Sequence, residues 1–203
     1  RITGSAPRQG AVFRMLNLSR NDPPRLTTQR LVLTLLAPRY AELMVRYRID
    51  NRHYLQRWEP VRSPQFFTPV YWRAQLQANL LDFERGESCA LVLLNREETQ
   101  VVGVANFTQI TRGTMQSCYL GYSLARDFEG QGLMYEGLRA ACDYMFQTLE
   151  LHRIMANYLP HNDRSGRLLD RLGFEVEGRA KAAFKINGAW EDHVLTALIN
   201  PAY

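Results

Sequence analysis

The chain has 203 residues, of which 46% are hydrophobic and 22% are charged, and its formal net charge at pH 7 is +5. This composition is typical of a globular protein, and no apolar run approaches the roughly 18 residues that a membrane span needs. The length predicts one domain with a full core. Four histidines without zinc spacing predict that the protein has no metal site. Three cysteines in apolar contexts, an odd number without paired spacing, favour buried thiols in a reduced cytoplasm.

The first thirty residues are strongly basic, with a single acidic residue, Asp22. The basic residues are Arg1, Arg8, Arg14, Arg20, Arg25 and Arg30. We predict a separate basic arm over residues 1–24, which either contacts RNA phosphate or is a solvated tail. Residues 25–203 are predicted to form the single domain.

The rest of the chain alternates strand and helix patterns in a mixed order. Strands are predicted over 30–36, 88–95, 100–111, 117–124 and 152–159, and on both sides of an Asn187–Gly188 hairpin turn. Helices are predicted over 38–50, from Pro69 to Gly86 with Thr68 as cap, over about 132–149, and from Asn162 onward. Seven strands and four helices in this order predict an α+β layer structure.

Two glycines, Gly130 and Gly132, stand between the strand that ends near Leu124 and the next helix. Glycines at a helix N-terminus let successive backbone N–H groups face one anion, and a diphosphate fits such a loop. The alternative is a tight strand-to-helix turn without a ligand. A dinucleotide fingerprint is excluded because Tyr135 replaces its third glycine, and the chain has no Walker sequence.

The wider context of these glycines resembles a known family. FEGQGLMYEGLRAACDYMF is followed, at the expected distance, by HRIMANYLPHNDRSGRLLDRLGFEVEG. This pattern is similar to the GNAT superfamily of acyl-CoA-dependent N-acetyltransferases. The resemblance implies the GNAT fold, a mixed and mostly antiparallel sheet of about seven strands with helices on both faces, splayed between strands 4 and 5. It also implies acetyl-CoA as cosubstrate.

Six segments over about residues 25–198 resemble, within this superfamily, the bacterial enzymes that acetylate ribosomal proteins. They are NRHYLQRWEPVR, GVANFTQITRG, YLGYSL, ANYLPHNDRSG, LLDRLGFEVEG and DHVLTAL. The resemblance implies acetyl transfer to the N-terminal α-amino group, of alanine, in a small-subunit ribosomal protein. Two alternatives stay open. One is another protein, a polyamine or a small-molecule amine as acceptor, and the other is a ribosome-associated assembly factor with secondary acetyltransferase activity.

The resemblance also assigns the coenzyme site. The glycine loop is expected to hold the pyrophosphate, and an Asn-x-x-Ser motif, here Asn162 and Ser165, is expected to touch the coenzyme near its reactive end. Coenzyme binding is thereby predicted for Tyr122, Ser123, Leu124, Phe128, Glu129, Gly130, Gln131, Gly132, Leu133, Met134 and Asn162. The chain departs from the family at Asp127, where relatives carry Gln or Arg.

Three side chains are predicted to be catalytic. Ser165 is the predicted proton donor to the coenzyme sulfur, and the alternative for it is an ordinary helix serine. Tyr119 stands where many relatives carry a glutamate as general base. An α-amino group with a pKa of about 7.7–8.0 demands little of a base, so a water chain that ends at Tyr119 or Glu59 suffices. Glu59 could instead anchor the incoming ammonium group or form a surface salt bridge.

The acceptor site is predicted from aromatic residues and backbone groups. Tyr54, Trp58 and Trp72 either wall a peptide slot or belong to the core. His161 is expected to shape the loop before Asn162, and a catalytic role is the alternative for it. Backbone N–H groups around 121–123, in the splayed strand, are the oxyanion donors that the family fold implies.

Overall fold

The computed structural model describes residues 22–202. The prediction for the basic arm concerns positions 1–24 and so lies almost entirely outside the described residues. Two arginines of the basic stretch lie inside, and both bind to the domain. Arg25 forms an ion pair with Glu98, and Arg30 forms one of 2.7 Å with Glu136.

The described residues contain one mixed sheet of eight strands in the order β1-β2-β3-β4-β5-β6-β8-β7. The strands are β1 Arg25–Thr27, β2 Leu31–Thr34, β3 Cys89–Asn95, β4 Val101–Thr111, β5 Ser117–Leu124, β6 Arg153–Tyr158, β7 Glu175–Ile186 and β8 Ala189–Ile199. The β5–β6 pair is parallel, and the other neighbours are antiparallel. All seven predicted strands are present, and the mostly antiparallel sheet is confirmed. The eighth strand is β1, whose three residues are too short for periodicity to be read.

The helices follow the predicted order with one addition. They are α1 Ala41–Asp50, α2 Arg52–Leu55, α3 Pro69–Glu84, α4 Leu133–Gln147 and α5 Asp163–Leu172. The short α2 lies in the segment that sequence patterns left irregular. Thr68 caps α3 by accepting a hydrogen bond of 3.3 Å from the backbone N–H of Tyr71. Both predicted helix starts, at Thr68 and Asn162, are confirmed.

The sheet is covered on both faces, as the resemblance implies. Leu31, Leu33 and Leu93 pack with α4, whereas Val32 and Val92 pack with α1 and α3. Successive residues of a strand point to opposite faces, so central strands that are buried on both faces read as continuous apolar runs.

Gly137 lets helix α4 pack tightly against the sheet. A Cβ atom at this position would lie 2.6 Å from Cδ2 of Leu93 and 3.4 Å from Cδ1 of Leu31. Apolar residues at helical spacing, from Leu133 and Met134 to Met145, form the buried side of α4. The glycine therefore brings the N-terminal half of α4 against β2 and β3.

The sheet opens between β5 and β6, which are the fourth and fifth strands of the prediction. Pairing between them is confined to Ser117–Tyr119 opposite Arg153–Met155. Beyond this point β5 continues to Leu124 along β4, and β6 continues to Tyr158 along β8. The predicted splay is confirmed. Within residues 22–202, no strand covers the β6 side of β5 after Tyr119.

Candidate active site

The glycine loop lies between β5 and the N-terminus of α4. Gly130 has φ +73° and Gly132 has φ +75°, both in the left-handed region that favours glycine. A Cβ atom at Gly130 would meet no atom within 4 Å, so the space above the loop is open. The first N–H groups of α4, which begins at Leu133, have no partner within the helix. The open space and the helix N-terminus fit the diphosphate that the loop was predicted to hold.

Arg30, one of the arginines of the basic N-terminal stretch, lies beside the glycine loop. Its Nη1 donates a 2.8 Å hydrogen bond to the carbonyl oxygen of Gln131, and its Nε pairs with Glu136. Its Nη2 is 3.7 Å from the position of a Cβ on Gly132. Contacts between positions a hundred residues apart leave no local signal, which is why sequence reasoning missed this cation.

Glu136 holds Arg30 in place from the first turn of α4. Its carboxylate accepts hydrogen bonds from Thr28 Oγ1 at 2.6 Å and from the backbone N–H of Arg30 at 2.8 Å. Burial alone would raise the pKa of Glu136, but these hydrogen bonds and the Arg30 charge outweigh it and lower the pKa. The carboxylate therefore stays ionised at neutral pH.

The other side of the opening carries a pair of hydroxyl groups. Tyr122 Oη on β5 and Ser165 Oγ in the first turn of α5 are 2.5 Å apart. Asn162 Oδ1 accepts a 3.2 Å hydrogen bond from the N–H of Ser165 and so fixes the start of α5. Burial raises the pKa of Tyr122 to about 12, with a further rise from Tyr158 and an opposing effect from Ser165. The Tyr122 phenol is therefore protonated at neutral pH.

A bridge of side chains crosses the opening above these groups. Glu129, in the glycine loop, accepts a hydrogen bond from Tyr54 of α2 and pairs with Arg164 of α5 at 2.6 Å. Burial would raise the pKa of Glu129, but the bonds from Tyr54 and Arg164 lower it below its ordinary value. The bridge joins three elements that are far apart in sequence.

The aromatic residues of the predicted peptide slot divide into two groups. Trp58 stacks on His161 with ring centroids 5.7 Å apart, and Tyr54 belongs to the Glu129 bridge, so both lie at the opening. Trp72 is 5% exposed and donates from Nε1 to the carbonyl of Phe66 at 2.7 Å. Trp72 is therefore a core residue, which is the alternative that the sequence left open.

The three predicted catalytic side chains are not brought together. Tyr119 is 38% exposed and is the last β5 residue that pairs with β6. It lies three residues before Tyr122 in the strand, on the opposite face of the sheet. Glu59 pairs with Arg48 at 2.9 Å. Among the described residues, no hydrogen bond or ion pair joins any two of Ser165, Tyr119 and Glu59.

The remaining predicted coenzyme residues offer mainly backbone groups. Leu133 and Met134 are buried at the start of α4, and Leu124 and Phe128 pack against the core. Gln131 Nε2 donates to the carbonyl of Asp127 at 3.0 Å, within the loop itself. Their side chains stabilise the loop, which leaves the main chain to face a ligand.

Ser123 connects the opening to α1. Its Oγ lies 2.9 Å from the hydroxyl of Tyr47. Burial raises the pKa of Tyr47 to about 12, while the nearby Arg48 charge acts in the opposite direction. A neutral, buried phenol thus fixes the Ser123 side of β5 to the helix layer.

Residues 22–202 also bear on possible metal ligands, on long apolar helices and on the cysteines. This part of the chain contains no group of three or more His, Cys, Asp or Glu residues that could hold a metal ion. None of its helices is both long and apolar enough to cross a bilayer. The three cysteines are unpaired and buried, and burial raises the pKa of Cys118 to about 12.

A glycine loop at a helix N-terminus, beside two strands that separate, defines an acyltransferase of the GNAT class. The Acetyltransferase (GNAT) domain family matches residues 30–175, and the chain belongs to this family. The chain is 49% identical over 177 residues to the ribosomal protein uS5-alanine N-acetyltransferase of Escherichia coli (strain K12). The aligned residues cover 87% of this chain and 91% of that protein.

Two solved structures extend this similarity. The ribosomal-protein-S5-alanine acetyltransferase from Vibrio fischeri is 36% identical with a TM-score of 0.84, over 88% of this chain and 97% of that one. Mycobacterium smegmatis RimJ in complex with CoA-disulfide is 26% identical with a TM-score of 0.82, over 90% of each chain. The predicted family and fold are both confirmed.

Proposed function

We propose that this protein transfers the acetyl group of acetyl-CoA to the N-terminal α-amino group of a small-subunit ribosomal protein that begins with alanine. The similarity to the Escherichia coli uS5-alanine N-acetyltransferase, over nearly the whole of that protein, carries the proposal. The glycine loop and the paired hydroxyls support the same chemistry. Such an acceptor also implies a cytoplasmic enzyme, and a contact between the basic arm and ribosomal RNA belongs to the same proposal.

The coenzyme site is assigned to the loop and to its supports. Backbone N–H groups of Gly130, Gly132 and the first turn of α4 bind the diphosphate, and Arg30 adds a cation beside them. Asn162 orients the start of α5 toward the reactive end. When bound, acetyl-CoA supplies an acetyl thioester that is activated for attack by an amine.

The Tyr122–Ser165 pair is assigned to proton delivery. Ser165 Oγ–H donates toward the departing sulfur, and Tyr122 Oη–H donates to Ser165 Oγ across 2.5 Å. The raised pKa of Tyr122, about 12, keeps the phenol neutral as a hydrogen-bond donor to Ser165, and solvent replaces the proton that Ser165 gives up to the sulfur. Tyr122, for which sequence reasoning predicted only coenzyme binding, thus joins Ser165 as a catalytic residue of the proposal.

The amine side of the reaction needs little assistance. An α-amino group is partly neutral at pH 7, so it needs no dedicated side-chain base, and solvent water takes up the proton that the amine loses on acetylation. Around 121–123, those backbone N–H groups that do not pair with β4 face the side of β5 that β6 leaves open, and the oxyanion is assigned to them. The ion pair of Glu59 with Arg48 suits this carboxylate to shaping the acceptor side of the site.

The proposal is tested by incubating purified ribosomal proteins with this protein and acetyl-CoA, followed by intact-mass and N-terminal peptide analysis. We expect a 42 Da increase, about the mass of one acetyl group, on one alanine-starting protein of the small subunit, and no increase with Ser165→Ala at equal time. Acetylation of spermidine or of lysine side chains, with no modified N-terminus, would refute the proposal.

A further inference from the structure

A pocket rich in arginine lies next to the opening, outside the coenzyme site. It is formed by the end of α1, by α2 and by the 56–67 segment that follows. Its lining includes Arg48, Arg52, Glu59 and Arg62, with Phe66 and Phe67 as aromatic walls.

The charges of the pocket do not balance. Glu59 binds Arg48 at 2.9 Å and Arg62 at 3.5 Å, so one carboxylate serves two guanidinium groups. Arg52 has no acidic partner among the described residues, and its guanidinium lies 4.5 Å from the ring centre of Phe67. Three cations and one anion leave the pocket with an excess of two positive charges.

Arg48 is the buried member of the cluster. Its side chain is 7% exposed, and its Nε is buried without a hydrogen-bond partner. A buried donor without an acceptor is costly, and a guanidinium prefers to bind a carboxylate through two nitrogen atoms. Arg48 lines the pocket, so an acceptor bound there would meet a guanidinium whose one acidic partner among the described residues is Glu59.

The pocket is connected directly to the proposed acetylation site. Arg48 lies over the ring of Tyr47 at 5.1 Å, and the hydroxyl of Tyr47 contacts Ser123 on β5 at 2.9 Å. Glu59 follows Trp58, which stacks on His161 at the start of α5. An extended peptide advances about 3.3–3.6 Å per residue, so a chain whose N-terminus enters the opening reaches the pocket within a few residues.

We propose that this pocket binds an acidic side chain of the acceptor polypeptide, a few residues after the amino group that is acetylated. The inference rests on the proposed function, because it requires a peptide acceptor. Arg52 and Arg48 supply the charge, and the phenylalanine rings cover the methylene groups of a Glu side chain. The pocket then selects among alanine-starting proteins, a choice that the glycine loop and the Tyr122–Ser165 pair cannot make.

The experiment compares alanine-starting peptides that are identical except for one Glu or Gln, placed in turn at positions 2 to 6. For the unmodified protein we expect kcat/KM to favour Glu over Gln by about tenfold at one position, the ratio that corresponds to ~1.4 kcal/mol. Arg52→Gln should remove the preference by raising KM while kcat is kept, and Arg52→Glu should favour a Lys peptide at that position. Arg52 is exposed, so these variants are expected to fold.

Arg73→Gln is the matched control, because Arg73 is an exposed arginine of α3 that pairs with Glu42 outside the pocket. It should keep the full preference. Equal turnover of Glu and Gln peptides at every position, or a preference that survives Arg52→Gln, overturns the inference and leaves the proposed function intact. Failure to acetylate any alanine-starting peptide refutes both. Loss of RNA oligonucleotide binding in Arg52→Gln, without any peptide preference, would identify a phosphate site instead and overturn the inference.

Discussion

The hydroxyl groups of Tyr122 and Ser165 lie 2.5 Å apart, one on strand β5 and the other in the first turn of α5. The two residues are separated by a helix and a strand in sequence, and they meet because β5 and β6 separate after three paired positions. The same separation creates the opening beside which the two hydroxyl groups lie. The contribution of each hydroxyl group to kcat can be tested by replacing the two residues one at a time and together.

Ser165→Ala is expected to lower kcat by about 10²-fold, in the range for loss of a general acid, with little change in acetyl-CoA affinity. Tyr122→Phe should lower kcat by a similar factor, and the double variant should lose no more than the worse single one, since the residues act in series. The measurement is kcat on an alanine-starting peptide from pH 6 to 9. Residual activity should fall at high pH, where solvent protons are scarcer.

Tyr71→Phe is the control for the phenol, since Tyr71 bonds Gln75 on α3, away from the opening. It should leave kcat unchanged. A Ser165→Ala variant that keeps more than about half of the kcat across this range would remove Ser165 from the mechanism.

Gly130→Ala is expected to weaken acetyl-CoA binding by at least tenfold. A Cβ atom would enter the open space above the loop, and the left-handed backbone would be strained by about 1–2 kcal/mol. Gly113→Ala is a matched control, because Gly113 has φ +72°, meets no atom within 4 Å and lies in the β4–β5 turn. Calorimetric titration and thermal unfolding should show similar stability losses in both variants but weakened binding only in Gly130→Ala. Equal coenzyme affinities would place the diphosphate elsewhere.

Arg30→Gln is expected to raise the Kd for coenzyme A by about tenfold, the loss of one charge-assisted contact. The free energy of unfolding should fall by no more than about 1 kcal/mol, because the ion pair with Glu136 is partly exposed and Thr28 still donates a hydrogen bond to that carboxylate. Arg25→Gln, which breaks the ion pair with Glu98, serves as the control. If both variants bind coenzyme A as the parent does, Arg30 only supports the loop structurally.

Because of the Glu129 bridge, the stability of the folded protein should decrease at acidic pH. The pKa of Glu129 is lower in the folded chain than its ordinary value of about 4.3. The unfolded chain therefore takes up the proton first, so the stabilisation is complete above about pH 5 and is lost as pH falls through 4.3 toward the folded pKa. Scanning calorimetry of the parent and Glu129→Gln between pH 3 and 7 should show a Tm difference that is largest at pH 6–7 and narrows toward pH 3. A constant difference would mean that the bridge contributes no ionic stabilisation.

Features specified within a few residues could be predicted without the structure. Thr68 and Asn162 as caps depend on a side chain and an N–H three residues later, and the Asn187–Gly188 turn depends on two residues with positive φ. The glycine loop could be predicted for the same reason, because glycine adopts the positive φ angles of Gly130 and Gly132 without strain.

Features that depend on contacts across the fold could not be predicted. The amino-acid pattern could not separate Trp58, at the opening, from Trp72, in the core, because both are aromatic residues near helices and only packing assigns their partners. Likewise, the sequence did not distinguish Arg30 from the other arginines of the basic stretch, because its contact with the carbonyl oxygen of Gln131 depends on the position of the β1–β2 turn in the fold.

Local sequence patterns were enough to predict seven of the eight strands, four of the five α-helices, the helix caps, the glycine loop and the resemblance to an acetyltransferase superfamily. These features depend on local backbone preferences and on motifs within short stretches of the chain. The tertiary structure alone decided that Tyr122 shares a hydrogen bond with Ser165, that Glu129 bridges Tyr54 and Arg164, and that Glu59 lies among arginines. The physical reason is that sheet pairing and helix packing set the distances between side chains remote in sequence, and charge and hydrogen bonding act only across such distances.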